Sequence, residues 1–222
     1  MTDDDKVLAV DVCGTLYDAN TTAGLVIFHH ARCANRWRSS VLEAISAPQS
    51  ALRFGLVAFA KLTGWDLHRA IILASLRGER LTALEASATR YVEDHLSGLA
   101  IQPPHERMQA MRKAGWTPVL VSNAISPVVA AIAQSLDVPF IASRLAHDKG
   151  RLTGRLQDDL TGRKRAALER FLKVRLDREH FAVITDNKSD GDLVAIAKPA
   201  LLVATGHPKN WMREWDAEII FH

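Results

Sequence analysis

The chain has 222 residues, 48% of them hydrophobic and 24% charged, the values of a soluble globular protein with a sizeable core. Its 28 Lys and Arg against 25 Asp and Glu leave a net charge of +3 with no dense basic run, so charge makes no case for nucleic acid and supports only a weak pull on anionic substrates. Two cysteines without a CxxC, an N-terminus MTDDDK unlike a signal peptide, and no apolar run near the roughly 20 residues of a membrane helix point to a cytoplasmic protein with no integral membrane segment.

In chain order, Val7 to Val10 is a short apolar run, β-branched at both ends, and reads as a buried strand ending at Asp11. A carboxylate there is costly unless it is paired, hydrogen-bonded or bound to metal. That edge of an open α/β sheet is also where ligands bind. From Asn20 to Pro103 the chain becomes rich in Ala, Leu, Arg and Glu. The spacing predicts helices over 22–38, 40–45, 51–62, 67–76 and 82–99, with Pro48 and Gly64 as punctuation. Such a block is too long for a plain crossover, and it reads as a helical cap (residues 20–103) inserted into a core of residues 1–19 and 104–222.

Pro103 and Pro104 mark the return to that core. Strands are predicted over 117–121, 140–142, 181–185, 200–204 and 218–221, and a β-hairpin over 145–156 around Lys149-Gly150. Helices are predicted over 106–114, 127–135, 162–172, 192–197 and 208–215. Trp211 and Trp215 would share one face of the last of these and pack on the core. Alternating strands and helices mean a parallel sheet, so the fold class is α/β, a Rossmann-like three-layer core.

Asp11-Val12-Cys13-Gly14-Thr15-Leu16 resembles the first motif of the haloacid dehalogenase (HAD)-like phosphohydrolases, D-x-D-G-T-[LV]. Three further stretches match that family in order. Ser122 ends the strand in V-L-V-S-N, Lys164 opens a helix in T-G-R-K-R-A-A-L, and Asp186 and Asp190 follow the strand in F-A-V-I-T-D-N-K-S-D-G-D-L, with Thr185 in place of the usual Gly. Leu168, four residues after Lys164, resembles the phosphoserine-phosphatase-like branch. Read singly, Ser122 caps a helix, Lys164 belongs to a solvated basic face, and the two Asp to a solvated loop. The match covers the first 22 residues and the chain from about residue 104, and it does not extend in detail to the cap.

The resemblance implies that Asp11 attacks phosphorus and becomes an aspartyl-phosphate. It implies that Ser122 holds a phosphoryl oxygen and that Lys164 balances charge. It also implies Mg²⁺ held by Asp11, the backbone carbonyl of Cys13 and Asp186, with Asp190 as ligand or just behind the ligands, and Asp192 as runner-up for that outer place. These are the hard oxygen donors that Mg²⁺ prefers. The family's second Asp, its general acid and base, is here Cys13. Such a group is worth about 10²–10⁴-fold, and a thiol with a reference pKa of about 8.5 is a poor acceptor for a proton from water beside Asp11 and phosphate.

The expected function is therefore a Mg²⁺-dependent phosphohydrolase acting on a small phosphorylated metabolite. A phosphotransferase, or a catalytically impaired scaffold binding a phosphorylated ligand or partner, stays open. The dehalogenase branch also lacks the second Asp, but typically has an aromatic residue there and would leave Asp186 without a metal. For substrate contacts, Ser122, Asn123 and Lys164 come from the core, and Thr21 and Arg32 from the cap. Asn20, Thr22, His29, His30 and Arg38 are the other polar cap residues considered. His29 and His30 are adjacent, so on a helix they point about 100° apart and cannot both face one ligand. The apolar cap stretches 54–60 and 70–76 read as cap core.

Overall fold

Val7–Val10 form strand β1, and all four residues are buried. Leu8 and Val10 face one hydrophobic cluster, and Val7 and Ala9 face the other. A strand covered on both faces needs this unbroken apolar run rather than an alternation. The computed structural model describes residues 6–33, 36–47, 49–50, 53–55 and 66–222.

The remaining strands are β2 (Thr117–Ile125), β3 (Phe140–Asp148), β4 (Arg151–Asp158), β5 (Phe181–Thr185), β6 (Ala200–Ala204) and β7 (Glu218–Phe221). They form one seven-stranded sheet in the order β4-β3-β2-β1-β5-β6-β7. Every neighbouring pair is parallel except the β3–β4 hairpin. β1 therefore lies between β2 and β5, the point where the strand order reverses and where such sheets bind ligands. β2 and β3 run longer than their apolar cores predict, because β2 carries Ser122 and Asn123 inside its bounds and β3 continues into the hairpin.

The helices α1 (Thr21–Arg32), α2 (Arg36–Ser46), α3 (Leu67–Ser75), α4 (Leu81–Asp94), α5 (Gln102–Lys113) and α6 (Ser126–Leu136) contribute buried residues to a single cluster with one face of the sheet, α2 by packing on α1 and α3. The other face is covered by α7 (Lys164–Leu172), α8 (Gly191–Val194) and the 3₁₀ turn Asn210–Glu214.

Several predicted bounds change. The helix expected over 22–38 ends at Arg32, and α2 begins afresh at Arg36 and takes in the helix expected over 40–45. No proline or glycine marks this break. Packing of α2 against α1 sets it. The helix expected over 82–99 stops at Asp94 and is followed by a 3₁₀ turn, Leu96–Leu99. Pro103 and Pro104 do not precede the next helix but open it in its first turn, where the missing N–H costs nothing. Of the helix expected over 51–62 only residues 53–55 are described, and they are helical. The rest lies outside the described residues, as does most of the stretch 54–60. Asn210–Glu214 is 3₁₀ rather than α, so Trp211 and Trp215 do not share a face, although both still touch the same cluster.

His29 and His30 are core residues, both fully buried. Ser87 gives its proton to the carbonyl of Ala83, so it accepts from His29 Nδ1 at 2.8 Å. Ser75 likewise donates to Ile72 and accepts from His30 Nε2 at 3.2 Å. His30 Nδ1 is buried without a partner. Protonating it would create a buried N–H with no acceptor. Burial first, then His29, holds His30 below the ordinary histidine range. A folded-state pKa below the unfolded value of about 6.5 means the unfolded chain takes up protons first as pH falls. Stability present above that value is lost on acidification. Between about pH 7.5 and 5.5, the wild-type Tm is expected to fall by about 2–4 °C more than that of His30→Gln, roughly 1 kcal/mol at this chain length. Parallel melting curves in calorimetry would contradict this.

Candidate active site

Asp11 sits at the carboxyl end of β1 and is almost fully buried. Such a carboxylate needs a partner, and Lys164 supplies one, with Nζ 2.9 Å from Asp11 Oδ1. Lys164 is the first residue of α7 and shares its buried face with Leu168 and Leu172. The spacing of those leucines points the lysine at the sheet. The same Nζ lies 2.7 Å from Asp190 Oδ2, which also accepts from Thr185 Oγ1 at 2.7 Å. One buried cation thus stands between two buried carboxylates. Burial pushes Asp11 up to about 6, against the pull of Lys164 and with the repulsion of Asp190 added. Burial alone would depress Lys164, but the two carboxylates hold it above the ordinary lysine range.

The loop after Asp11 holds a further carboxylate. Gly14 has φ +75°, and a Cβ there would lie 2.6 Å from Asp186 Oδ2, so both backbone shape and space require glycine. Thr15 Oγ1 donates to Asp186 Oδ1 at 2.9 Å and accepts from the Asp186 N–H at 3.0 Å. Asp186, at the end of β5, is therefore clasped by the loop that ends β1. Burial raises its pKa, and Thr15 and Lys209 act against that rise. Cys13 Sγ lies 3.0 Å from Thr21 Oγ1, and burial followed by Asp11 pushes its thiol up, which keeps it neutral.

Above this edge opens a cleft of about 840 Å³ bounded by Cys13, Gly14, Thr22 and Gly24, and by Asp66, His68, Arg69 and Tyr91 of the helical region. Asn123 lines it, and Asn123 Oδ1 is buried without a partner. Ser122 is buried at the end of β2 and accepts from the Ala124 N–H at 3.2 Å rather than capping α6. Thr21 is wholly buried behind Cys13, whereas Thr22 faces the cleft and accepts from the Ile125 N–H. Arg32 is not brought to the cleft. It is exposed at the end of α1, with its guanidinium 5.6 Å from the ring centroid of Phe28. Arg38 is likewise outside it and pairs with Glu79.

Arg69 carried no signal in the sequence. It donates to Asp159 at 3.0 Å, Thr161 at 3.1 Å, Ser143 at 3.3 Å and the Asn123 carbonyl at 2.7 Å, and so ties α3 to β2, to β3 and to the segment that follows β4 beside the cleft. Its partners lie 54 to 92 residues away in the chain. Thr15 and Tyr91 were also missed, Thr15 because its role exists only once β5 lies beside β1.

A profile of haloacid dehalogenase-like hydrolases matches residues 8–194, which span all four motifs. The chain belongs to the haloacid dehalogenase-like hydrolase family. No curated protein matches it in sequence. A protein of unknown function from Bordetella pertussis Tohama I has the same fold, with TM-score 0.75 and 18% identity over 96% of this chain and 98% of that one. Phosphoserine phosphatase in its apo form has TM-score 0.62 and 17% identity over 97% and 93%. A phospho-aspartyl intermediate analogue of phosphoserine phosphatase has TM-score 0.60 and 15% identity over the same shares. At such identities the likeness is one of fold. Among the described residues no helix of this HAD-like hydrolase is long and apolar enough to cross a membrane.

Members of this family typically use Mg²⁺, and the donor chemistry here suits it. Among the described residues no three His, Cys, Asp or Glu side chains converge into a cage. Mg²⁺ needs none, because it keeps several waters and takes one or two carboxylates. Asp186, clasped against Gly14, and Asp11 are hard oxygen donors at neighbouring strand ends. Asp190 Oδ2 is already committed to Lys164 and Thr185.

Lys164→Met would leave two buried carboxylates without a cation. It is expected to cost about 3–5 kcal/mol of unfolding free energy, read by urea denaturation. An unchanged midpoint would mean that the pair is not coupled in solution.

Proposed function

We propose that the protein is a phosphohydrolase of a small phosphorylated substrate, working through an aspartyl-phosphate on Asp11. The observation that carries this reading is the buried Lys164 held between Asp11 and Asp190 at the sheet edge where the strand order reverses. A buried carboxylate beside a fixed cation is a nucleophile whose charge is already balanced when an anionic phosphoryl group arrives.

Asp11 attacks phosphorus. Lys164 offsets the added negative charge, and Asp190 and Thr185 fix its ammonium group. Ser122 and Asn123, at the end of β2, take the phosphoryl oxygens. When bound, Mg²⁺ would be held by Asp11, the Cys13 carbonyl and Asp186 and would neutralise phosphoryl charge. We place Asp190 behind Lys164 rather than on the metal. Residues 20–103 act as a cap over a core formed by 1–19 and 104–222, and the Arg69 clamp holds the two together beside the substrate. Thr22, His68 and Tyr91 replace Thr21 and Arg32 as our cap contacts, because they line the cleft and those two do not. The neutral thiol of Cys13 favours substrates with good leaving groups, or transfer to an acceptor other than water, unless another group supplies the proton.

Two experiments test this. Wild type is expected to turn over 4-nitrophenyl phosphate in the presence of Mg²⁺, and Asp11→Asn to abolish that turnover. Full activity in Asp11→Asn would end the aspartyl-phosphate reading. Cys13→Asp is expected to raise kcat by about tenfold or more, the low end of what an added acid–base group supplies. No gain in a folded variant would mean that the pocket does not present position 13 to water.

A further inference from the structure

Glycine is a poor choice at position 24, in the second turn of α1, where it costs about 1 kcal/mol relative to alanine. Its missing side chain makes room for a neighbour, since a Cβ there would overlap the hydroxyl of Tyr91. Tyr91 comes from α4, and its ring is held by Phe28 and His95, whose centroids lie 5.7 and 6.2 Å away. The phenol is thus fixed in a slot that only glycine leaves open. Among the described residues no hydrogen bond engages the hydroxyl, and Tyr91 lines the same cleft as Cys13 and Gly24. Thr21 and Gly24 are three residues apart on one face of α1. The Cys13 thiol lies against Thr21 and the Tyr91 hydroxyl against Gly24, so both groups pack on the same end of α1, and Cys13 and Tyr91 both line the cleft.

We propose that Tyr91 is the general acid and base of this site, in the place left by Cys13. The inference rests on the phosphohydrolase reading above. As Asp11 bonds to phosphorus, the ester P–O bond breaks and its electron pair stays on the leaving oxygen, which takes the proton of Tyr91. In the second half, the phenolate takes a proton from water. The water oxygen bonds to phosphorus while the bond from phosphorus to Asp11 breaks and its electron pair returns to the carboxylate. The sum is ester plus water to alcohol plus phosphate, with Tyr91 restored. One group serves both halves because leaving group and attacking water occupy the same side of phosphorus. Burial pushes Tyr91 up to about 12, so the resting enzyme holds the proton there. The substrates that gain most are esters of poorly acidic alcohols, whose leaving oxygen needs a proton.

The test compares kcat/KM for a series of phosphate monoesters, from 4-nitrophenyl through phenyl to a simple alkyl ester, in wild type, Tyr91→Phe and Gly24→Ala. Tyr91→Phe keeps the ring and its packing, so a merely structural tyrosine leaves all substrates unaffected or slows them equally. The proposal expects the ratio of wild type to Tyr91→Phe to rise by about tenfold or more as the leaving group worsens, as loss of acid assistance requires. Gly24→Ala, which displaces the hydroxyl without deleting it, is expected to follow Tyr91→Phe. Parallel dependences in wild type and Tyr91→Phe overturn the role of Tyr91 alone. No turnover of any ester by wild type overturns the phosphohydrolase reading and this inference with it.

Discussion

The structure depends on one buried ammonium group. Lys164 is fully enclosed, and it lies within 3 Å of two carboxylates that are themselves enclosed. None of the three charges could be placed there alone, because desolvation of an isolated ion outweighs what a well-packed core returns. Their mutual attraction makes the arrangement tolerable, and it fixes three chain segments at once. The end of β1, the start of α7 and the turn after β5 must meet for the charges to meet. The fold is therefore specified at its functional edge by electrostatics, while the rest of the sheet is specified by apolar packing.

The loop between Asp11 and Tyr17 extends this arrangement. Gly14 makes room for the Asp186 carboxylate, and Thr15 hydrogen-bonds it twice. Conformation and recognition coincide, since the turn that ends β1 also grips the end of β5. Asp11 and Asp186, at the ends of neighbouring parallel strands, each have their own partner, Lys164 for Asp11 and Thr15 for Asp186.

The helical region joins the sheet through a shared apolar cluster and through specific polar contacts. Arg69 gathers acceptors from Asn123, Ser143, Asp159 and Thr161, so one side chain registers α3 against β2, β3 and the segment after β4. Tyr91 fits over Gly24, and Thr21 backs the Cys13 thiol. The buried histidines stiffen this region from within, away from the cleft. The histidines and Arg32 do not line the cleft: the histidines are buried in the core and Arg32 is exposed at the end of α1.

The sequence by itself determined the sheet and the four motif positions. Short apolar runs rich in β-branched residues, alternating with helical segments, read as buried strands, and a carboxylate at the end of such a run needs a partner or a ligand. Asp11, Ser122, Lys164 and Asp186 were legible for that reason, each at a strand end or helix start in the family's order. Tertiary structure alone decided the rest. The break between α1 and α2 has no local breaker and follows from packing. Thr15, Arg69 and Tyr91 act through partners distant in the chain, and a single threonine, arginine or tyrosine carries no periodic or spacing signal of what it will touch. Arg32 and Thr21 sat at plausible distances along the chain, but a helix fixes direction as well as distance, and it turned one to solvent and the other into the core.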